Sequence, residues 1–241
     1  MKQAFVTGAS RGLGKAMAEQ LLELDWNVTG ISRTHTIEHK NYKALSADLS
    51  EAGVSESIAL EIDENAEQHL LINNAAETGE IGYFGQVSNA QFQRGFQLNL
   101  ISPAILLNRF IELTQTTQSL RLIVNISSGA SKNAYDGWGM YCSSKAAIDS
   151  ISNVLIEEIN QRNDSRTYIY SIAPGVIDTD MQSVIRKATK NEFSRIDKFI
   201  LMHKEYDLTP AKIAAKKLLS YVLSNPSKLS GRVDVREFIL T

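Results

Sequence analysis

Tyr141 and Lys145 stand four residues apart in Trp138-Gly139-Met140-Tyr141-Cys142-Ser143-Ser144-Lys145. On a helix, that spacing puts both side chains on one face, about 6 Å apart along the axis. A free phenol titrates near pH ~10 and a free lysine ammonium near ~10.4. An ammonium held beside a phenol favours the phenolate and lowers the phenol's pKa. Such a tyrosine can pass a proton to or from a substrate oxygen near neutral pH. The same two residues also occur at this spacing on ordinary surface helices, so the pair acquires meaning only from the rest of the chain.

A second stretch, Thr7-Gly8-Ala9-Ser10-Arg11-Gly12-Leu13-Gly14, follows the apolar run Ala4-Phe5-Val6 and precedes a helical pattern of Leu13, Ala16, Met17, Leu21 and Leu24. Strand, glycine turn and helix is the setting of a phosphate-binding loop. Gly8 permits the tight turn, Gly12 lets the backbone approach a pyrophosphate, and Gly14 lets the helix pack on the strand. The helix N-terminus offers free N–H groups and the positive dipole end. The next apolar run, 26–31, ends at Ser32-Arg33. The NAD version of this architecture carries an acid near this point, on the ribose 2′-hydroxyl. Arg33 and Arg11 suit a 2′-phosphate instead, so the cofactor expected is NADP(H).

Composition narrows the classes. The chain has 241 residues with 25 Lys plus Arg against 27 Asp plus Glu, a formal net charge of −2. There is no basic surplus of the kind nucleic-acid partners require. A single cysteine, Cys142, excludes an internal disulfide and fits a reducing compartment. The N-terminus enters a strand pattern at once, so no signal peptide is expected. No apolar run is long enough for a bilayer. The expectation is a cytoplasmic protein without a membrane partner. His35 and His39 are four apart but lie in a polar loop without an evident third ligand, so no metal is expected. His69 and His203 read as structural.

The elements that must position these residues alternate. A weak third strand at 42–45 is followed by Asp48-Leu49, where an acid could meet an adenine amino group. Ser50 is read as the cap of a helix running to about residue 68. A fourth strand, 69–72, ends in Asn73-Asn74-Ala75-Ala76, small and amide residues that let a cofactor lie close. A glycine-rich loop with Tyr83 and Phe84 leads to a helical stretch, 89–115, with a break possible near Pro103. The fifth strand, 120–126, is apolar enough for burial on both faces and ends at Ser127-Ser128. The Tyr141 helix extends to about residue 162. A sixth strand, 167–172, ends in Ala173-Pro174-Gly175. Segment 178–207 has no clean period and reads either as a lid of short helices or as a helical pair in the core. Thr209 and Pro210 start a helix to about residue 223, and 231–235 closes the chain as a last strand. This alternation predicts an α/β fold: a single doubly wound Rossmann-type domain, 1–241, with a mainly parallel seven-stranded sheet flanked by helices. Ligands of such sheets bind beyond the carboxyl ends of the strands, and the unusual residues all fall there.

On these motifs the chain resembles the short-chain dehydrogenase/reductase family. The glycine loop matches Thr7 to Gly14, the NNAG motif matches Asn73 to Ala76 with alanine in the last place, and the PG-x-x-x-T segment matches Pro174, Gly175 and Thr179. The family's serine lies thirteen positions before the tyrosine, at Ser128, and its asparagine matches Asn99. Gly137 to Cys142 and Ala173 to Gln182 are similar to the sepiapterin reductase branch and its bacterial benzil reductases, which form (S)-benzoin. The resemblance implies reversible carbonyl reduction with Asn99, Ser128, Tyr141 and Lys145 as catalytic residues. The cofactor contacts expected are Gly8, Ser10, Arg11, Gly12, Leu13, Gly14, Arg33, Asp48, Leu49, Asn74, Ala75, Tyr141, Lys145, Pro174, Gly175, Val176 and Thr179. Tyr135, Trp138, Met181, Phe199 and Met202 suggest a bulky, weakly charged small-molecule substrate such as a vicinal diketone. Asp234, at the place where the branch holds a pterin, leaves a pteridine substrate open. A catalytically silent NADPH-sensing module is the contrasting class; such modules tend to lose the Tyr or Lys that this chain keeps. Apolar residues on more than one face of the 99–115 and 141–160 helices, with the family's habit, suggest a homodimer.

Overall fold

The structure, a computed structural model, describes residues 1–205, 207–224 and 231–235. Seven strands form one all-parallel sheet: β1 (Lys2–Thr7), β2 (Asn27–Ser32), β3 (Tyr42–Ser46), β4 (Gln68–Asn73), β5 (Leu120–Ile126), β6 (Thr167–Ala173) and a last strand, Gly231–Asp234. A two-residue pair, β7 (Ile177–Asp178) with β8 (Thr209–Pro210), stands apart from the sheet, so the last strand is β9. The sheet order is β3-β2-β1-β4-β5-β6-β9. The order reverses beside β1, so its carboxyl end, the glycine loop and the end of β4 border the crevice where the two halves diverge.

Alternation along the strands sorts side chains into two cores. Ala4, Val6, Leu70, Ile72, Leu122, Val124, Tyr170 and Ile172 face α1 (Gly12–Glu23) and α8 (Ala211–Ser224), packing with Met17, Leu21, Leu218 and Val222. Phe5, Leu71, Ile123 and Ile169 face the other way, toward Leu106, Phe110 and Leu155. Those last three lie on α4 (Ser102–Thr114) and α5 (Gly139–Gln161). From Arg121 onward β5 is fully buried, as a strand covered on both faces must be.

Two expected helices differ. The helix expected from Ser50 to about residue 68 is a single turn, α2 (Val54–Ser57). Ser50 gives its hydroxyl and N–H to Asp48 instead, and Gly53 is left-handed at φ 82°. Arg109 takes the carbonyls of Ser55 and Ile58 at 2.8 and 2.7 Å. Ile58 and Leu60 are buried at a period of two, an extended pattern rather than a helical one. Thr209 and Pro210 lie in β8, so α8 begins just after the expected cap. The 89–115 stretch is helical throughout, as α3 (Asn89–Phe96), a π turn (Gln97–Ile101) and α4, with the irregularity just ahead of Pro103.

Segment 178–207 folds as α6 (Asp180–Ile185) and α7 (Ile196–Lys204); Tyr206 lies outside the described residues. Phe193, Ile196 and Phe199 pack with Trp138 and Tyr141 in a third apolar cluster. The β7–β8 pair closes the base of the segment.

Thr7 joins the two strand ends that frame the crevice. Its Oγ1 accepts from the N–H groups of Asn74 and Ala75 at 2.9 and 3.0 Å, and the Asn74 amide donates back to the Thr7 carbonyl at 2.9 Å. Replacing Thr7 by valine keeps the shape and leaves two donors unpaired, about 1–3 kcal/mol for a fully buried one. Urea unfolding of Thr7→Val is expected to show a loss of about 2 kcal/mol; a loss below about 0.5 kcal/mol would show that water replaces the hydroxyl without penalty.

Candidate active site

The carboxyl ends of the strands open into a cavity of about 1240 Å³. Ser128, Tyr141 and Lys145 line it, as do the expected substrate residues Tyr135, Trp138, Met181, Phe199, Met202 and Asp234. Of the expected cofactor contacts, Gly14 alone stands off the wall. A Cβ there would fall 2.3 Å from the Gly8 carbonyl oxygen and 2.4 Å from the Asn74 amide nitrogen. Gly14 therefore lets the loop close on the helix rather than meeting a ligand. Asn99 is also off the wall. It is 1 % exposed, with Oδ1 accepting from Glu77 N at 2.9 Å and Nδ2 donating to Glu77 O at 2.8 Å and Ser144 Oγ at 3.2 Å. Its side chain ties the loop after β4 to α5.

Helix α5 presents Tyr141 and Lys145 on one buried face. The lysine Nζ sits 5.8 Å from the centre of the tyrosine ring and donates to the Ile126 carbonyl at 2.7 Å. The expected lowering of the tyrosine pKa is reversed in the folded protein. Burial pushes Tyr141 up; the Ser128 hydroxyl beside it pulls down more weakly, and Lys145 contributes no resolved pull. The reason is desolvation: the phenolate form loses more water here than the ammonium, turned toward Ile126, gives back. Burial also lowers Lys145, to about 8, with Asp149 acting against the fall. Ser128 precedes a 3₁₀ turn and accepts from Ala130 N at 3.1 Å, which leaves its hydroxyl proton for another acceptor.

The glycine loop is shaped for an anion. Gly8 and Gly12 adopt φ of 69° and 56°, and a Cβ at Gly8 would lie 2.8 Å from the Asn74 side chain. The α1 N-cap, Arg11, makes no side-chain cap bond, and no acid sits in the first turn, so the helix N–H groups are open to phosphate oxygens. Arg11 pairs with Asp180 at 3.0 Å and Arg33 with Asp48 at 3.8 Å. Burial raises the Asp48 carboxyl, but Ser50 hydrogen bonds and the Arg33 and Arg94 charges hold it below the ordinary value. Arg94 and Glu77 line the cavity as well, 3.5 Å apart; neither stood out in the sequence, for lack of any motif around them.

At the other end the wall is aromatic. Trp138 stacks on Phe193 at 5.0 Å and 22°, meets Tyr141 edge-on at 5.6 Å and leans on Phe199 at 5.4 Å. Asp136 accepts from Ser194 N at 2.7 Å, Ser194 Oγ at 2.9 Å and Tyr83 OH at 3.2 Å, joining three segments of the chain.

This arrangement has known counterparts. The family model described as short chain dehydrogenase matches residues 2–190. A benzil reductase ((S)-benzoin forming) of Bacillus subtilis is 35% identical over 246 residues, covering 99% of this chain and 100% of that protein. A sepiapterin reductase of Mus musculus is 31% identical, covering 95% and 94%. The crystal structure of KRED1-Pglu superposes with a TM-score of 0.82 at 27% identity, over 97% of this chain and 100% of that one. A family match over most of the chain, relatives above 30% along nearly its full length, and the tyrosine, lysine and serine gathered beside a dinucleotide-type loop together place this chain in the short-chain dehydrogenase/reductase family of oxidoreductases.

Proposed function

We propose that this protein is an NADPH-dependent carbonyl reductase acting on bulky, weakly charged ketones or vicinal diketones, of the benzil-to-(S)-benzoin type. The observation that carries the reading is one cavity with an arginine-flanked glycine loop at one end, an aromatic wall at the other, and Tyr141, Ser128 and Lys145 between them. The benzil reductase likeness supports the substrate class.

The nicotinamide cofactor, when bound, would supply the hydride that the carbonyl carbon takes up. Gly8, Gly12 and the α1 N-terminus would hold the pyrophosphate, and Arg11 and Arg33 the 2′-phosphate, while Asp48 and Leu49 would border the adenine. Asn74, Ala75, Pro174, Gly175, Val176 and Thr179 would flank the remainder. Ser128 donates a hydrogen bond to the carbonyl oxygen, where negative charge develops. Tyr141 then gives that oxygen its proton. The Tyr141 phenol carries its proton at neutral pH as any ordinary phenol does, and burial raises its pKa further. The phenolate left behind needs a cation nearby, and Lys145 provides it. Asn99 would complete the catalytic set, and its side chain fixes α5 against the loop after β4. Segment 178–207 acts as the lid over the substrate end, and residues 1–241 form one domain.

A pteridine is the second reading, favoured by Asp234 on the cavity wall and by the sepiapterin reductase likeness. Turnover of a diketone, a pteridine and a simple sugar by NADPH oxidation ranks these readings and also excludes a silent sensing module if any is reduced. Exposed Ile101, Leu113 and Val154, on the π turn, α4 and α5, support a homodimer; light scattering at micromolar protein is expected to give twice the 26.7 kDa chain mass.

Tyr141→Phe is expected to bind NADPH as the parent does and to lose about 10²–10⁴-fold in turnover. Near-parental turnover would overturn the assignment. Arg33→Ala is expected to raise KM for NADPH about tenfold or more and leave NADH little changed, since charge-assisted bonds of this kind are worth about 1.5–3 kcal/mol; equal effects on both cofactors would remove Arg33 from the phosphate site. The reduction rate is expected to fall as pH rises through about 8, where Lys145 loses its charge.

A further inference from the structure

Tyr141, Lys145 and Asp149 recur at four-residue intervals along α5. The chemistry above uses only the first two. Asp149 is 8 % exposed and is not part of the cavity wall. A carboxylate at that depth needs hydrogen-bonded and charged partners, and they come from three other parts of the fold. Ser171 of β6 donates to Oδ1 at 2.5 Å, and Arg232 of β9 donates from Nε to Oδ2 at 2.8 Å. Arg232 Nη2 also donates to Ser131 Oγ at 3.3 Å, in the turn that follows Ser128. Burial raises the Asp149 carboxyl, but these serines and Arg232 outweigh it and keep the group ionised.

The placement is informative. Ser171 and Arg232 are register partners in the β6–β9 pair, and Ala173 with Asp234 is the pair two residues on, at the cavity. One carboxylate thus pins the catalytic helix, the Ser128 turn and the last strand. It is also the charge that acts against loss of the Lys145 proton. The titratable groups about Lys145 are Tyr141 and Asp149 on α5 and, across Asp149, Arg232 on β9, with Asp234 on the same cavity. From β5 come the Ile126 carbonyl and then Ser127 and Ser128, from β6 Ser171, and from the π turn Asn99, none of which titrates.

We propose that Asp149 is a positioning residue of this site, a buried carboxylate one helical turn beyond Lys145 on α5 that binds Arg232, ties the last strand to the catalytic helix and sets a negative charge near the ammonium. Arg232 opposes it for the charge: a guanidinium on Asp149 weakens what Lys145 feels. What the device does for catalysis rests on the carbonyl-reductase reading; the charge coupling itself does not.

The coupling is tested in cofactor-free protein by competitive acetic anhydride labelling of Lys145 against pH, read by mass spectrometry. Asp149→Asn is expected to lower the apparent Lys145 pKa by about one unit and Arg232→Gln to raise it by a similar amount, as charge removal at short range does. The descending alkaline limb of diketone turnover is expected to move the same way in each variant. A merely structural Asp149 would lower the melting temperature in both variants and leave the Lys145 titration where it was; that result, or shifts of the same sign, overturns the proposal. If Asp149→Asn fails to fold, Arg232→Gln alone decides by its upward shift or the lack of one. Diketone turnover by the parent protein separates the two claims, because failure of the carbonyl-reductase reading shows there as no NADPH oxidation, whatever the labelling gives.

Discussion

An ammonium that is 4 % exposed must find oxygen or surrender its proton, and Lys145 is in that position. The oxygen it finds is the Ile126 carbonyl, the last residue of β5. That carbonyl is free of the ladder because the central strand ends there, at the sheet edge where the cavity begins. The balance is close: burial pulls the pKa down to about 8, which leaves the group charged at neutral pH by a narrow margin. Much of the site can be read as support for that margin. Strand β5 delivers the carbonyl and the Ser128 turn, α5 delivers Tyr141 on the same face, and Asn99 with Ser144 fixes the helix against the loop after β4.

The same margin explains how the site treats its tyrosine. Spacing alone suggested that lysine would acidify the phenol. The folded protein instead desolvates both groups, and desolvation moves a phenol up and an ammonium down. Position along a helix was legible in the sequence; depth below the surface, which sets the sign of the shift, was not.

Legibility followed physical range elsewhere too. The strands were readable because period-two alternation and apolar content act locally, and every sheet strand lies within a residue or two of its expected place. The glycine loop was readable because positive φ at Gly8 and Gly12 is a backbone demand that few residues meet. What escaped depended on distant partners. The helix after Ser50 failed to form because Arg109, about fifty residues later, takes its carbonyls. The side-chain partners of Asn99, Glu77 and Ser144, were not legible either, because they lie about twenty and forty-five residues away. Asp149 escaped because its meaning depends on Arg232, on the last strand. Segment 178–207 posed a choice between lid and core, and its side chains do both kinds of packing: Phe193 stacks against Trp138 while Met181 and Met202 face the cavity.

The cofactor end obeys the opposite rule from the lysine end, because it is wet. Arg11 and Asp180 are 68% and 70% exposed at the side chain, and Arg33 is 59% exposed beside Asp48. Exposed pairs of this kind contribute at most about 1 kcal/mol. A phosphate that meets a guanidinium fork makes charge-assisted bonds roughly twice as strong as neutral ones. The two carboxylates can therefore hold the arginines near the loop without blocking an anionic ligand, and they offset the positive charge gathered there. Asp180 is also the first residue of α6, so the Arg11 pair joins the glycine loop to the segment that carries Met181.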